Sequence, residues 1–289
     1  MGRILIIADH KGKGVATPRG VRLAQKLNLD ADVVAFTYEH LGAMRASKDE
    51  QEQVRSRLMC EREQLVQARI DKFSEPGQNV SLQVVWEKDI VRWINDKCAS
   101  GDYTGVIKTG RRTESLVHSS SDWELLRECP APVLILAEKK WHQTKPVLVT
   151  LDLGSSVATK HELNHKVLAA GKMLACALEV DLEIITASEI PAFLKDLDLV
   201  DPIAFSKEAR LEMLPHLREL AAAHDIPEED FHCKRGPVEK VIASRAAKVR
   251  AQIVVMGTVG RTGVKARLLG NTAEGVLRHL KTDVLAIKP

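Results

Sequence analysis

The chain has 289 residues, 45% of them hydrophobic and 28% charged, with a formal net charge of +3. That length exceeds one ordinary core, and that composition excludes intrinsic disorder as the main state, so two globular domains are expected. The charge is too small to mark nucleic acid, 4% aromatic residues leave little to stack single-stranded bases on, and no apolar run reaches membrane length.

The first predicted strand is residues 4–8, closed by Asp9; its apolar stretch is too short for a signal-peptide core. A second strand is read over 32–37. A charged helix over Lys48–Phe73 follows, its alternating signs indicating a solvated face. Strand Val80–Trp86 precedes a helix over 89–99, which Trp86 and Trp93 are expected to pack against the sheet. Strands at 106–107 and 132–136 complete the first half, and 137–146 reads as a linker.

The pattern then starts again. Strand Val147–Leu151 ends at Asp152, as the first strand ends at Asp9. Strands at 181–186, 230–234, 253–255 and Asp283–Ile287 alternate with helices at 207–224 and 237–249. Residues 188–206, with Pro191 and Pro202, form an unusually long connection. Gly236-Pro237 reads as a turn with proline at the first helical position. Each half thus reads as five strands joined by helical crossovers, which calls for a parallel sheet covered on both faces. The domains are placed at 1–138 and 145–289.

Chemistry concentrates after the fourth strand of the second half. Met256-Gly257-Thr258-Val259-Gly260-Arg261 leads through a basic segment to Gly270-Asn271-Thr272 at the start of a predicted helix, 272–280. Gly257 and Gly260 permit positive φ and close backbone approach, and free N–H groups at a helix start attract phosphate. Asn271 with Glu274 also fits a capping box, which needs no ligand.

With Gly257, Gly260 and Gly270 in the pattern G-2x-G-9x-G, this half resembles the ATP-binding universal stress protein family, and the whole chain resembles its tandem, E-type members. The resemblance implies two tandem doubly wound α/β domains of the adenine nucleotide alpha hydrolase-like kind, each a five-stranded parallel sheet of order 3-2-1-4-5. It implies ATP or ADP, with Mg²⁺, bound by Asp152, Leu153, Ala187, Met256, Gly257, Val259, Gly260, Arg261, Gly270, Asn271 and Thr272. Asn271 stands where the family has Ser or Thr, and its amide can still donate to a phosphate oxygen.

The first half keeps Asp9, but of the three glycines only Gly110 is matched. Ser119 aligns with Gly270, and Tyr38 opposite Ala187 would crowd an adenine. A degenerate first domain is expected. Ser119–Ser121 serve equally as an anion site or a helix cap.

Residues His161-Glu162-Leu163-Asn164-His165 match the HExxH zinc-protease pattern without a third ligand at the expected spacing. That pair, or His232 with Cys233, could take adventitious zinc; no metal is assigned, and a solvated helix face is the plainer reading. The five cysteines, odd in number and without CxxC, read as buried reduced thiols of a cytoplasmic protein.

The expected function is a nucleotide-dependent stress-response regulator or sensor, with an adenine nucleotide and an unidentified protein as partners. The halves are expected to pair as an intrachain pseudo-dimer, open to further homodimerisation. Nucleotide binding is expected to order residues 260–270. No catalytic residue is assigned; a slow ATPase and a nucleotide-free scaffold are the alternatives.

Overall fold

Short runs of Val, Ile and Leu bounded by helical crossovers settle into parallel sheets, because each strand can then bury both faces. The computed structural model describes residues 2–10, 14–101, 103–110, 121–138, 143–190, 194, 201–258 and 271–289. The chain divides into two units, Met1–Glu138 and Lys139–Pro289.

The first unit runs β1 (Arg3–Ile7), α1 (Ala16–Lys26), β2 (Asp30–Thr37), α2 (Lys48–Phe73), β3 (Val80–Trp86), α3 (Ile90–Ser100), β4 (Tyr103–Thr109), α4 (Ser121–Glu128) and β5 (Val133–Leu136). Its strands pair in parallel in the order β3-β2-β1-β4-β5. The second unit runs β6 (Val147–Leu151), α5 (Ala158–Leu178), β7 (Leu182–Ser188), α6 (Pro202–His224), β8 (Phe231–Arg235), α7 (Val238–Val249), β9 (Ile253–Gly257), α8 (Asn271–His279) and β10 (Asp283–Ile287). Its order is β8-β7-β6-β9-β10, again parallel. Both units are therefore doubly wound α/β sheets of order 3-2-1-4-5. The central strands carry the cores: Leu5, Ile6, Val147, Leu148 and Val149 are fully buried. Among the described residues no helix is long and apolar enough to cross a membrane.

Several local expectations need correction. α6 begins at Pro202, so the end of the expected 188–206 connection is helical. The reason is a good start: the Asp201 side chain accepts from Ile203 N at 2.8 Å, and Pro202 takes the first helical position, where its missing N–H costs nothing. Pro237 is instead the N-cap of α7, one residue before the helix, because Gly236 at φ +140° turns the chain there.

α2 is solvated along most of its length, but Arg62, Val66 and Ile70 form a buried stripe at four-residue spacing. Arg62 turns inward and donates to the carbonyls of Ala8, Asp9 and His10 at 3.3, 2.7 and 3.0 Å. Burial lowers its affinity for the proton, and Asp9 opposes that effect. Trp93 packs α3 on the sheet through an edge contact with Phe36 of β2. Trp86 instead faces Tyr38 and carries the Arg55 guanidinium of α2 over its ring. Cys98 and Cys129 are buried and interact, which pushes the Cys98 thiol pKa upward; Cys60 and Cys176 are exposed. The thiols are thus not uniformly buried, since Cys60 and Cys176 sit on the outer faces of α2 and α5.

Candidate functional site

In the second unit the chain leaves β6 toward β7 on one side and returns at β9 on the other. Two strands whose crossovers diverge leave a crevice beyond their carboxyl ends. A cleft of about 450 Å³ opens there, within the range typical of small-molecule sites. Its walls include Thr150, Leu151 and Asp152 from the end of β6, Ile185 and Ala187 from β7, and Met256 and Gly257 from β9. Thr272, Ala273 and Val276 of α8 close one side, and Lys160, Leu163 and Asn164 of α5 another.

Asp152 is held by its backbone, not by its carboxylate. Its N–H donates to Asn164 Oδ1 at 3.1 Å, and Asn164 Nδ2 donates back to the Asp152 carbonyl at 2.9 Å. Asn164 is buried. This two-bond clamp sets the chain direction after β6 and leaves the Asp152 side chain 55% exposed, paired among the described residues with Lys160 at 2.8 Å. An exposed carboxylate with one flexible partner is available to a ligand.

Gly257 does not adopt the positive φ that its sequence context anticipates. Its need for glycine is steric: a Cβ there would lie 2.7 Å from Leu163 Cδ2 and 3.0 Å from Leu163 Cγ. The absent side chain lets α5 lie close on β9 at the cleft wall. Thr272 stands in the first turn of α8, where unpaired N–H groups favour an anion.

Of the eleven residues singled out from the sequence, Asp152, Ala187, Met256, Gly257 and Thr272 line this cleft. Leu153 is buried beside it and is not among the lining residues. Val259, Gly260, Arg261 and Gly270, and the side chain of Asn271, lie outside the described residues, as do residues 260–270 as a whole and Ser119 and Ser120. Sequence reasoning missed Lys160, Leu163 and Asn164. They sit within or beside the HExxH match, where attention went to the histidines.

Those histidines do not converge on each other, nor do they simply face solvent. Both turn toward α6: His161 stacks on His216, and His165 meets His224 at 3.1 Å. His232 and Cys233 also fail to converge. Neighbours on a strand point to opposite faces, and His232 approaches Glu183 while Cys233 faces Met213.

The first unit differs at the corresponding positions. Gly110 N donates to Leu136 O at 2.8 Å, as Thr258 N donates to Ile287 O at 2.8 Å. Gly110 therefore occupies the place of Thr258 and is no remnant of the glycine motif. In the same register Lys108 and Thr109 stand for Met256 and Gly257, and Asp122 for Ala273. Lys108 and Asp122 form a largely buried ion pair where the second unit has its cleft wall. Asp9 is occupied as well, accepting from Ala16 N at 3.1 Å at the start of α1, beside Thr109 Oγ1 at 3.0 Å from the same N–H. The strand register puts Phe36, not Tyr38, opposite Ala187, because Glu87 N bonds Thr37 O as Gly236 N bonds Ser188 O.

The sequence profile of the universal stress protein family matches residues 144–288. Universal stress protein E of Escherichia coli K12 is 31% identical over 303 residues, spanning 99% of this chain and 93% of that relative. The Haemophilus influenzae homologue of the same type is 28% identical, spanning 99% and 96%. Among solved structures, a universal stress protein from Archaeoglobus fulgidus superposes with a TM-score of 0.63 at 18% identity, covering 99% of this chain and 98% of that one. A Pseudomonas aeruginosa protein of unknown function superposes with a TM-score of 0.70 at 24% identity, covering 99% and 92%. The chain belongs to the universal stress protein family, and its likeness to E-type members runs through both of its units.

Proposed function

We propose that the second unit binds an adenine nucleotide, ATP or ADP, with Mg²⁺ carried on its phosphates, and that the chain acts as a nucleotide-dependent regulator or sensor in a stress response. The observation that carries this reading is the cleft at the β6–β9 switch point. Asp152, Ala187, Met256, Gly257 and Thr272 come together around one cavity of about 450 Å³. The spacing of Gly257, Gly260 and Gly270 supports it independently.

In this reading Asp152 and the backbone of Ala187 hold the adenine edge, with Leu153 supporting the turn behind Asp152. Met256, Gly257, Val259 and Gly260 surround the sugar and the first phosphate. Gly270, Asn271, Thr272 and the free N–H groups of α8 take the terminal phosphates, and Arg261 and Lys160 add positive charge. Mg²⁺ keeps most of its ligands as water and phosphate oxygen and needs no dedicated protein cage. The first unit, with its Lys108–Asp122 pair and occupied Asp9, does not share this role.

The test begins with protein purified without added nucleotide, denatured, and its released small molecule identified. Adenine nucleotide near one equivalent per chain is expected, and titration of Mg-ATP should fit one site. Asp152→Ala should weaken ATP about 10- to 100-fold, the equivalent of a charge-assisted hydrogen bond of about 1.5–3 kcal/mol. Its stability should change by no more than about 1 kcal/mol, because only an exposed ion pair is lost. Protein that carries no nucleotide and fails to bind Mg-ATP would refute the proposal.

A further inference from the structure

Behind the loop that presents Asp152 lies a second cluster, on the face of α5 turned to α6. His161 and His216 stack with ring centroids 3.7 Å apart and planes 17° from parallel. One ligand atom from each of His161, His216 and Glu219 lies within 4.8 Å of the other two. His216 is only 6% exposed, and among the described residues neither of its ring nitrogens has a hydrogen-bond partner. A buried imidazole with both nitrogens unanswered is an unmet demand that native structures rarely leave.

One bond selects the tautomer of His161 that a metal needs. His161 Nε2 lies 2.6 Å from the Ser155 carbonyl, which can only accept, so the proton sits on Nε2 and the Nδ1 lone pair is free. Metal-binding histidines characteristically donate their other N–H to a backbone carbonyl in this way. Behind Glu219, His165 Nε2 lies 3.5 Å from Oε1, while its Nδ1 faces His224 Nε2 at 3.1 Å.

We propose that His161, His216 and Glu219 bind one divalent metal ion of the zinc class, with water in the fourth position. Two imidazoles and a carboxylate with an open position form a donor set suited to zinc. Tetrahedral zinc holds its ligands about 3.4 Å apart, given bonds of roughly 2.0–2.1 Å, so the three groups draw together and the stacked imidazoles, 17° from parallel, turn out of the stack to aim both lone pairs at the ion. Glu219, its side chain 59% exposed, has room to follow. The ion ties α6 to the start of α5 and, through the His161–Ser155 bond, braces the loop whose other side presents Asp152 to the cleft.

The test uses the full chain stripped with EDTA and titrated with Zn²⁺ alone by calorimetry, and with Co²⁺ followed by its visible spectrum. The wild type is expected to bind one more equivalent than Glu219→Gln or His216→Gln, and each variant should lose at least about 100-fold in affinity at that site. A loss of that size is at the upper end of what even outer-shell changes cost. Co²⁺ should give a tetrahedral band without thiolate charge transfer in the wild type and lose it in both variants. Glu219→Gln changes an exposed side chain and keeps the test valid if His216→Gln does not fold. Wild-type stoichiometry, affinity and Co²⁺ spectrum in Glu219→Gln, or no Zn²⁺ bound by the wild type, would overturn the proposal.

Discussion

Asn164→Ala tests whether the clamp behind Asp152 is what shapes the cleft. The substitution removes both side-chain bonds to the Asp152 backbone, at 3.1 and 2.9 Å, in a residue only 4% exposed. Each orphaned backbone group costs about 1–3 kcal/mol if it stays dry. Asp152 borders an open cleft and water can reach it, so the lower end applies, about 2 kcal/mol for the pair. Truncating a buried side chain adds about 1 kcal/mol for the space left behind. A destabilisation of about 2–4 kcal/mol is expected, read from urea unfolding followed by circular dichroism. For a unit of this size that corresponds to a melting shift of about 4–16 °C. Hydrogen exchange should rise in peptides covering residues 150–165 and stay unchanged in the first unit. ATP affinity should fall although Asn164 removes no charge, because Asp152 is no longer held in place. A loss below about 1 kcal/mol with unchanged exchange in that segment would refute the clamp.

Gly257→Ala should destabilise the second unit by about 1–3 kcal/mol through overpacking, since the new Cβ would meet Leu163 Cδ2 at 2.7 Å. Adding Leu163→Ala should recover part of that loss; purely additive unfolding energies would show that the two residues do not compete for space. At the edge of the first unit, Tyr103 donates to Asp32 at 2.8 Å, and burial followed by that bond pushes its phenol up to about 12. The folded value lies above the ordinary value near 10, so this stability is complete below about pH 10 and is lost as pH rises toward 12. Tyr103→Phe should flatten that alkaline slope in denaturant melts, and an unchanged slope would remove Tyr103 as its source. The same group holds Asp32 below the usual carboxylate range, because the bonds from Ser81 and Tyr103 and the Arg3 charge together outweigh burial.

Much of the architecture was legible in the one-dimensional pattern. Apolar runs of strand length, repeated after half the chain and separated by helical stretches, leave few alternatives to two doubly wound sheets. The bounds expected for α2 and β3, 48–73 and 80–86, are those observed, and the structure adds the Ser47–Glu50 capping box that opens α2, with both of its bonds made. The glycine spacing likewise pointed to the end of β9. Residues far apart in the chain were decided only by packing. Asn164 became the support of Asp152 because α5 lies across the end of β6, and no short-range pattern records that crossing. The histidines of the HExxH match read as a pair because they share a helix face, yet α6 supplies their true partners, His216 and His224. Gly110 looked like a motif remnant until the sheet register matched it to Thr258, with Lys108 and Asp122 paired where the second unit has its cleft wall. Local chain chemistry decides which elements form; which side chains meet depends on how strands align and helices cross, and that is set only when the whole unit buries its apolar surface.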